Sequence, residues 1–216
     1  MRVTLIVIAK EPVPGRVKTR LTPPFTPSQA AALAEAALTD TLQVVVETPA
    51  TRRVLALAGE PGPWLPDGFE VIPQRGGGLD ERLAACFDDA YDGSPMVLIG
   101  MDTPQVTPGL LSAAAESLTM ADAVFGPATD GGFWLLGLRK PDPSLLLGVP
   151  MSVATTGAAQ LSRLRDAGLQ VTEVPELTDV DTVHSAKQVG ASAPGSRFAA
   201  LMAAYDSCPV TVTSVP

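Results

Sequence analysis

Apart from Thr4, every residue from Val3 to Ala9 is apolar, and the run ends abruptly at Lys10. A stretch this short and without alternation predicts a strand over residues 2–9, buried on both faces and hence central in a parallel sheet. Glu11-Pro12-Val13-Pro14-Gly15 suits neither helix nor ladder, so the chain crosses the sheet edge there as an irregular loop. The alanine-rich stretch 27–46 follows Thr26, a suitable N-cap, and predicts a long helix. Further strands are predicted over 53–58, 69–72, 96–100, 121–125, 133–138 and 170–174, the fifth and sixth strands flanking a turn at 128–132. Helical spacing marks 79–91, 108–118, 155–167, 182–189 and, beyond a hinge at 190–195, 197–205, with a frayed tail over 209–216. Strands alternating with helices imply βαβ crossovers and an α/β fold, a mostly parallel sheet covered by helices on both faces. Ligands of such sheets bind beyond the carboxyl ends of the strands, so the strand-end loops hold the candidate chemistry.

Composition narrows the picture. A chain of 216 residues is within reach of one hydrophobic core, so a single domain is expected over 1–190, followed by a C-terminal helix and flexible tail over 191–216. Hydrophobic residues make up 46% and charged residues 18%, which excludes wholesale disorder. No apolar run approaches the roughly 20 residues of a membrane span, and the first residues lack the pattern of a secretory signal, so a cytoplasmic protein without a membrane span is expected. Cys86 and Cys208 lie too far apart for a disulfide framework or a zinc spacing. One histidine, His184, excludes a His-rich metal site. Without G-x-S-x-G, G-x-G-x-x-G or a P-loop sequence, serine hydrolases, dinucleotide dehydrogenases and P-loop kinases lose their main sequence support.

The net charge of −8 opposes nucleic acid as a partner. Residues 1–20 run the other way, with Arg2, Lys10, Arg16, Lys18 and Arg20 against Glu11 alone. A basic cluster on an acidic body suits a small anion. The loop from Ala9 through Lys10 and Gly15 to Arg20 follows the first strand, and its prolines and glycine hold backbone amides open toward a diphosphate. Lys18 and Arg20 would add a point charge and a planar fork. A stiffened turn with merely solvated cations is the alternative.

Four more strand-end groups carry candidate chemistry. Asp102, in Gly100-Met101-Asp102-Thr103-Pro104, is a hard oxygen ligand for Mg²⁺ or Mn²⁺, or else a turn-capping carboxylate. Thr178-Asp179-Val180-Asp181-Thr182 offers one aspartate as helix cap and the other, Asp181, as a second metal ligand, unless both serve as cap and turn. His184 is a third ligand if manganese is used, or a surface residue. Asp130-Gly131-Gly132 brings a carboxylate and two close-approach glycines to an acceptor, with Asp130 as its base, though D-G-G is equally an ordinary hairpin turn. Gln74 and Gly76-Gly77-Gly78 precede a helix and offer an amide side chain and free backbone amides to an anion or a base, or simply a flexible link.

Together, A-K-E-P-V-P-G-R-V-K-T-R-L, Q-R-G-G-G-L-D-E-R-L, G-M-D-T-P, P-A-T-D-G-G-F-W-L-L-G-L and D-V-D-T resemble the small bacterial GT-A-like transferases of the DUF2064 group, related to 2-phospholactate guanylyltransferase. The resemblance spans about residues 3–190 and implies a Rossmann-like three-layer nucleotide-diphospho-sugar transferase fold. It implies that Lys10, Lys18 and Arg20 hold nucleotide phosphates, that Gln74 and Gly76 to Gly78 lie near the base, that Asp102 binds the metal, and that Asp130 and Gly131 face acceptor or sugar. Two departures stand out. Gly100 occupies the first place of the usual D-x-D pair, and Met151-Ser152-Val153 replaces a common Trp-Ser-Thr run. The expected function is metal-dependent glycosyl transfer from a nucleotide-sugar to a small acceptor. Nucleotidylyl transfer from an NTP, with release of pyrophosphate, is the alternative, and a non-catalytic nucleotide-binding protein is the third reading. The sequence leaves the oligomeric state open, a homodimer included.

Overall fold

A computed structural model describes residues 2–207; Cys208 and the tail predicted over 209–216 lie outside the described residues. Seven strands form one sheet: β1 (Thr4–Lys10), β2 (Arg52–Ala58), β3 (Glu70–Pro73), β4 (Met96–Gly100), β5 (Ala123–Pro127), β6 (Phe133–Leu138) and β7 (Val171–Glu173). Their order is β3-β2-β1-β4-β6-β5-β7. Only β6 runs against its neighbours, β4 and β5. Every other pairing is parallel, so the sheet is the mostly parallel one that the sequence predicts.

The central place of β1, between β2 and β4, explains why its sequence does not alternate. Leu5, Val7 and Ala9 join the core on one face, beneath α1 (Pro27–Glu47) and α3 (Pro108–Ser117). Ile6 joins the core on the other face with Leu83 and Phe87 of α2 (Leu79–Ala90) and Leu164 of α4 (Thr156–Asp166). Both faces are dry, so successive residues are all apolar. A third cluster forms where α5 (Val183–Ser192) and α6 (Arg197–Ser207) pack beside α1, around Leu33, Val189, Phe198 and Met202.

Helix ends show how the elements are fixed. Thr26 Oγ1 accepts the Gln29 amide while Gln29 accepts the Thr26 amide, closing a capping box at the start of α1. At the far end of that helix the Arg53 guanidinium donates to the carbonyls of Val45, Val46 and Thr48, a cation where the helix dipole is negative. Boundaries differ from expectation at α5, which runs on to Ser192, three residues past its predicted end and into the expected hinge, and at β5. Residues 121–122 precede the strand, which runs two residues past its predicted end to Pro127, with a register shift at Gly126/Pro127. No described helix is long and apolar enough to cross a membrane, and Cys86 is a buried free thiol.

Candidate active-site cleft

The first candidate loop leaves β1 at Lys10 and turns at Gly15, where φ is +77°. It ends in a short 3-10 turn, Thr19–Leu21, whose Leu21 is fully buried and anchors the loop to the body. Lys18 itself has a left-handed backbone, φ +48°. That conformation aims its ammonium at the end of β4, where Nζ donates to Asp102 Oδ2 at 2.6 Å. Two residues on, Arg20 Nη1 donates to Asp181 Oδ2 at 2.7 Å. Asp181 is delivered by a backbone tie, the Val180 amide donating to the Asp102 carbonyl at 2.9 Å. Residues 84 and 161 positions apart in the chain thus meet in one place.

They border a hollow of about 420 Å³ at the carboxyl edge of the sheet, lined also by Lys10, Arg16, Gln74 and Arg82. Gln74 Nε2 donates to the Ala9 and Ala56 carbonyls at 2.6 and 2.9 Å, so its amide nitrogen is spent on the sheet and Oε1 remains to accept. Gly15 and Gly76 to Gly78 do not line this hollow. The Gly78 amide instead donates to Glu81 at 2.6 Å as α2 begins, which withdraws it from anion binding. Glycine-rich spacing cannot reveal that a carboxylate three residues on has already taken the amide.

A second hollow of about 220 Å³ adjoins the first across Ile8, Leu79, Gly100, Asp102 and Ser152, and is bordered by Asp130, Gly132 and Asp179. The Asp130-Gly131-Gly132 segment is both the hairpin turn and part of the wall. The Gly131 amide donates to the Ala128 carbonyl, and Asp130 Oδ1 accepts the Gly132 amide at 2.8 Å. At Gly131, φ is +87° and a Cβ would collide with the Ala154 carbonyl oxygen, so only glycine lets the turn lie against the start of α4.

Asp179 is the residue that sequence reasoning passed over. Neither aspartate of D-V-D caps α5, because Thr182 Oγ1 accepts the Ser185 amide there. Asp181 goes to the basic hollow and Asp179 to the second one. The available signal was the spacing, since alternate residues of an extended segment share a side. Burial, reinforced by the charges of Asp102 and Asp130 and opposed by Lys18, pushes the Asp179 carboxyl up to about 6. Arg16 of the basic cluster lines the larger hollow as well, Arg82 is a further cation there that the sequence did not single out, and His184 is exposed on α5 and lines neither hollow.

Among the described residues no three His, Cys, Asp or Glu side chains stand close enough to hold a metal by themselves. Magnesium does not require such a cage, since one or two carboxylates with phosphate oxygens and water suffice. Asp102 and Asp181 fit that pattern. Each is partly exposed and already faces a cation, and both border the same hollow.

These features define an α/β protein with a two-chambered charged cleft at the carboxyl edge of its sheet. The chain belongs to the family described as "Uncharacterized protein conserved in bacteria (DUF2064)", whose family model matches residues 31–153. The basic loop and the D-V-D segment lie outside that span. A "putative nucleotide-diphospho-sugar transferase" from Desulfovibrio desulfuricans G20 is 28% identical, with a TM-score of 0.85 over 96% of each chain. The fold is shared more distantly by 2-C-methyl-D-erythritol 4-phosphate cytidylyltransferase from Thermus thermophilus, 16% identical with a TM-score of 0.56 over 89% of this chain and 99% of that one. It is also shared by Rv0371c from Mycobacterium tuberculosis H37Rv, crystallised in complex with manganese, 18% identical with a TM-score of 0.52 over 88% and 97% of the two chains. Comparison with curated proteins gives no match.

Proposed function

We propose that the protein is a metal-dependent, nucleotide-using transferase that moves a glycosyl group from a nucleotide-sugar to a small acceptor. The observation that carries this reading is the meeting of Lys18 and Arg20 with Asp102 and Asp181 across a single hollow of small-ligand size. Likeness to the Desulfovibrio protein, through its name, and to a cytidylyltransferase fold supports the use of a nucleotide.

In this reading Lys18, Arg20 and Lys10 exchange their present surroundings for the oxygens of a diphosphate, with backbone from Ala9 onward alongside. Gln74 Oε1 accepts a hydrogen bond from the base, while Gly15 and Gly76 to Gly78 shape the loops around it. Asp102 and Asp181 hold Mg²⁺ or Mn²⁺, which when bound supplies charge neutralisation to the departing diphosphate. Lys18 and Arg20 steady the same developing charge from the protein side. Asp130, with Gly131 and Gly132 behind it, orients the acceptor hydroxyl and takes its proton as the glycosyl bond to the diphosphate breaks.

Gly100 supports a second reading. A Cβ at this position would stand 2.9 Å from Asp102 Oδ1, so the D-x-D pair common in sugar transfer does not fit the present position of Asp102. Nucleotidylyl transfer, in which an acceptor phosphate attacks the α-phosphorus of an NTP and pyrophosphate leaves, uses the same cations and metal. Analysis of products from a panel of NTPs and nucleotide-sugars with Mg²⁺ and Mn²⁺ decides between them. Release of NDP is the expected result, release of pyrophosphate establishes the second reading, and nucleotide binding without turnover refutes both.

A further inference from the structure

The two chambers differ in charge. Lys10, Arg16, Lys18, Arg20 and Arg82 line the larger, against Asp102 and Asp181. The smaller carries Asp102, Asp130 and Asp179, and none of its described lining residues is Lys, Arg or His. Two cations of the larger chamber are felt here, Lys18 at Asp179 and Arg20 at Asp130, and each is already committed, Lys18 to Asp102 at 2.6 Å and Arg20 to Asp181 at 2.7 Å. The rest of the small chamber is largely apolar, with Ile8, Leu83, Leu98, Phe133 and Met151 among its walls.

We infer that the small chamber selects a hydroxyl-bearing molecule free of anionic groups and rejects one bearing phosphate or carboxylate. A phosphate needs charge-assisted donors, and here it would meet the carboxylates of Asp130 and Asp179, that of Asp102 being shared with the larger chamber and paired to Lys18. Carboxylates accept hydrogen bonds from hydroxyls, while the apolar wall receives the C–H face of a ring. An ammonium would instead be drawn to the same carboxylates, so the chamber discriminates against anions and not against amines. That the selected molecule is the acceptor rests on reading the larger chamber as a nucleotide site; the selectivity itself does not. With that reading, the acceptor is a polyol or sugar without an anionic group, and the acceptor phosphate demanded by nucleotidylyl transfer is disfavoured.

Met151 and Val153 line the small chamber alone, whereas Ala9 and Val17 line the large one alone. Methyl-labelled protein therefore reports each chamber separately in titrations with glucose, glucose 6-phosphate and glucosamine, with and without UDP and Mg²⁺. Glucose is expected to move the Met151 and Val153 signals at a concentration at least tenfold lower than glucose 6-phosphate does. Asp130→Asn with Asp179→Asn is expected to shrink that ratio at least threefold, Asn keeping the acceptor for the Gly132 amide. If that variant does not fold, 0.5 M salt applied to the wild type is expected to narrow the ratio by screening. A preference for glucose 6-phosphate over glucose and glucosamine at these methyls, or no response to any of the three, overturns the inference. UDP that fails to move Ala9 and Val17 sinks the nucleotide reading and leaves the measured selectivity standing.

Discussion

At the residue scale the site is a set of opposed charges held by unusual backbone. Lys18 and Ser152 are the non-glycine residues with positive φ among the described positions, and both border the cleft. Such conformations cost roughly 1–3 kcal/mol each and persist where the surroundings hold them. Lys18 is held by buried Leu21 on one side and Asp102 on the other. The Asp102→Ala variant is expected to weaken Mg²⁺-dependent nucleotide binding at least tenfold in calorimetry. Unchanged, metal-independent binding would favour the non-catalytic reading.

Asp179 makes a different, titratable contribution. A carboxyl whose pKa is raised on folding binds more protons folded than unfolded between the two values, so its contribution to stability falls as pH rises from about 4 to about 6. Asp179→Asn is therefore expected to be more stable than wild type above pH 6, by on the order of 1–3 kcal/mol, with the difference fading below pH 4. Urea unfolding across that range in a chelating buffer checks the sign. A constant difference at all pH values would contradict it.

At the element scale, the turn between β5 and β6 and the start of α4 act as one piece. The Gly157 amide donates to the Gly131 carbonyl at 2.8 Å, and a Cβ at Gly157 would collide with the Gly132 carbonyl oxygen. Gly131→Ala combines a backbone penalty with a collision against backbone that cannot swing away, and is expected to destabilise by about 2–4 kcal/mol. Gly15→Ala is the control, with φ +77° but nothing within 4 Å of its Cβ, and should lose only about 1 kcal/mol. Equal losses in denaturant titrations would show that packing plays no part. The D-G-G signal was legible in the sequence as a turn. Its packing against Ala154 was not, because that contact joins segments 23 residues apart.

The scale of the whole molecule brings in α6. Asp40 of α1, 7% exposed, accepts the amides of Arg197 and Phe198 at 3.1 and 2.9 Å and so caps α6 from across the fold. Phe198 is fully buried between α1 and α5. Phe198→Ala is expected to cost about 3–5 kcal/mol. A loss below 1 kcal/mol in chemical unfolding would show α6 to be an appendage. The sequence predicts this helix but gives no sign of its cap, since Asp40 precedes it by 157 positions.

The sequence by itself determined the strands, the helices and a mostly parallel sheet, because burial on both faces leaves unbroken apolar runs and helix starts carry local caps. It also marked Lys18, Arg20, Asp102, Asp130 and Asp181, since loops at the carboxyl edge of such a sheet are where ligands go. Only the tertiary structure decided which cation faces which carboxylate, that Asp179 turns into the smaller chamber, and that the Gly78 amide is already taken by Glu81. Those outcomes depend on distances between segments far apart in the chain, and on hydrogen bonds competing for the same donor, neither of which a local pattern of residues contains.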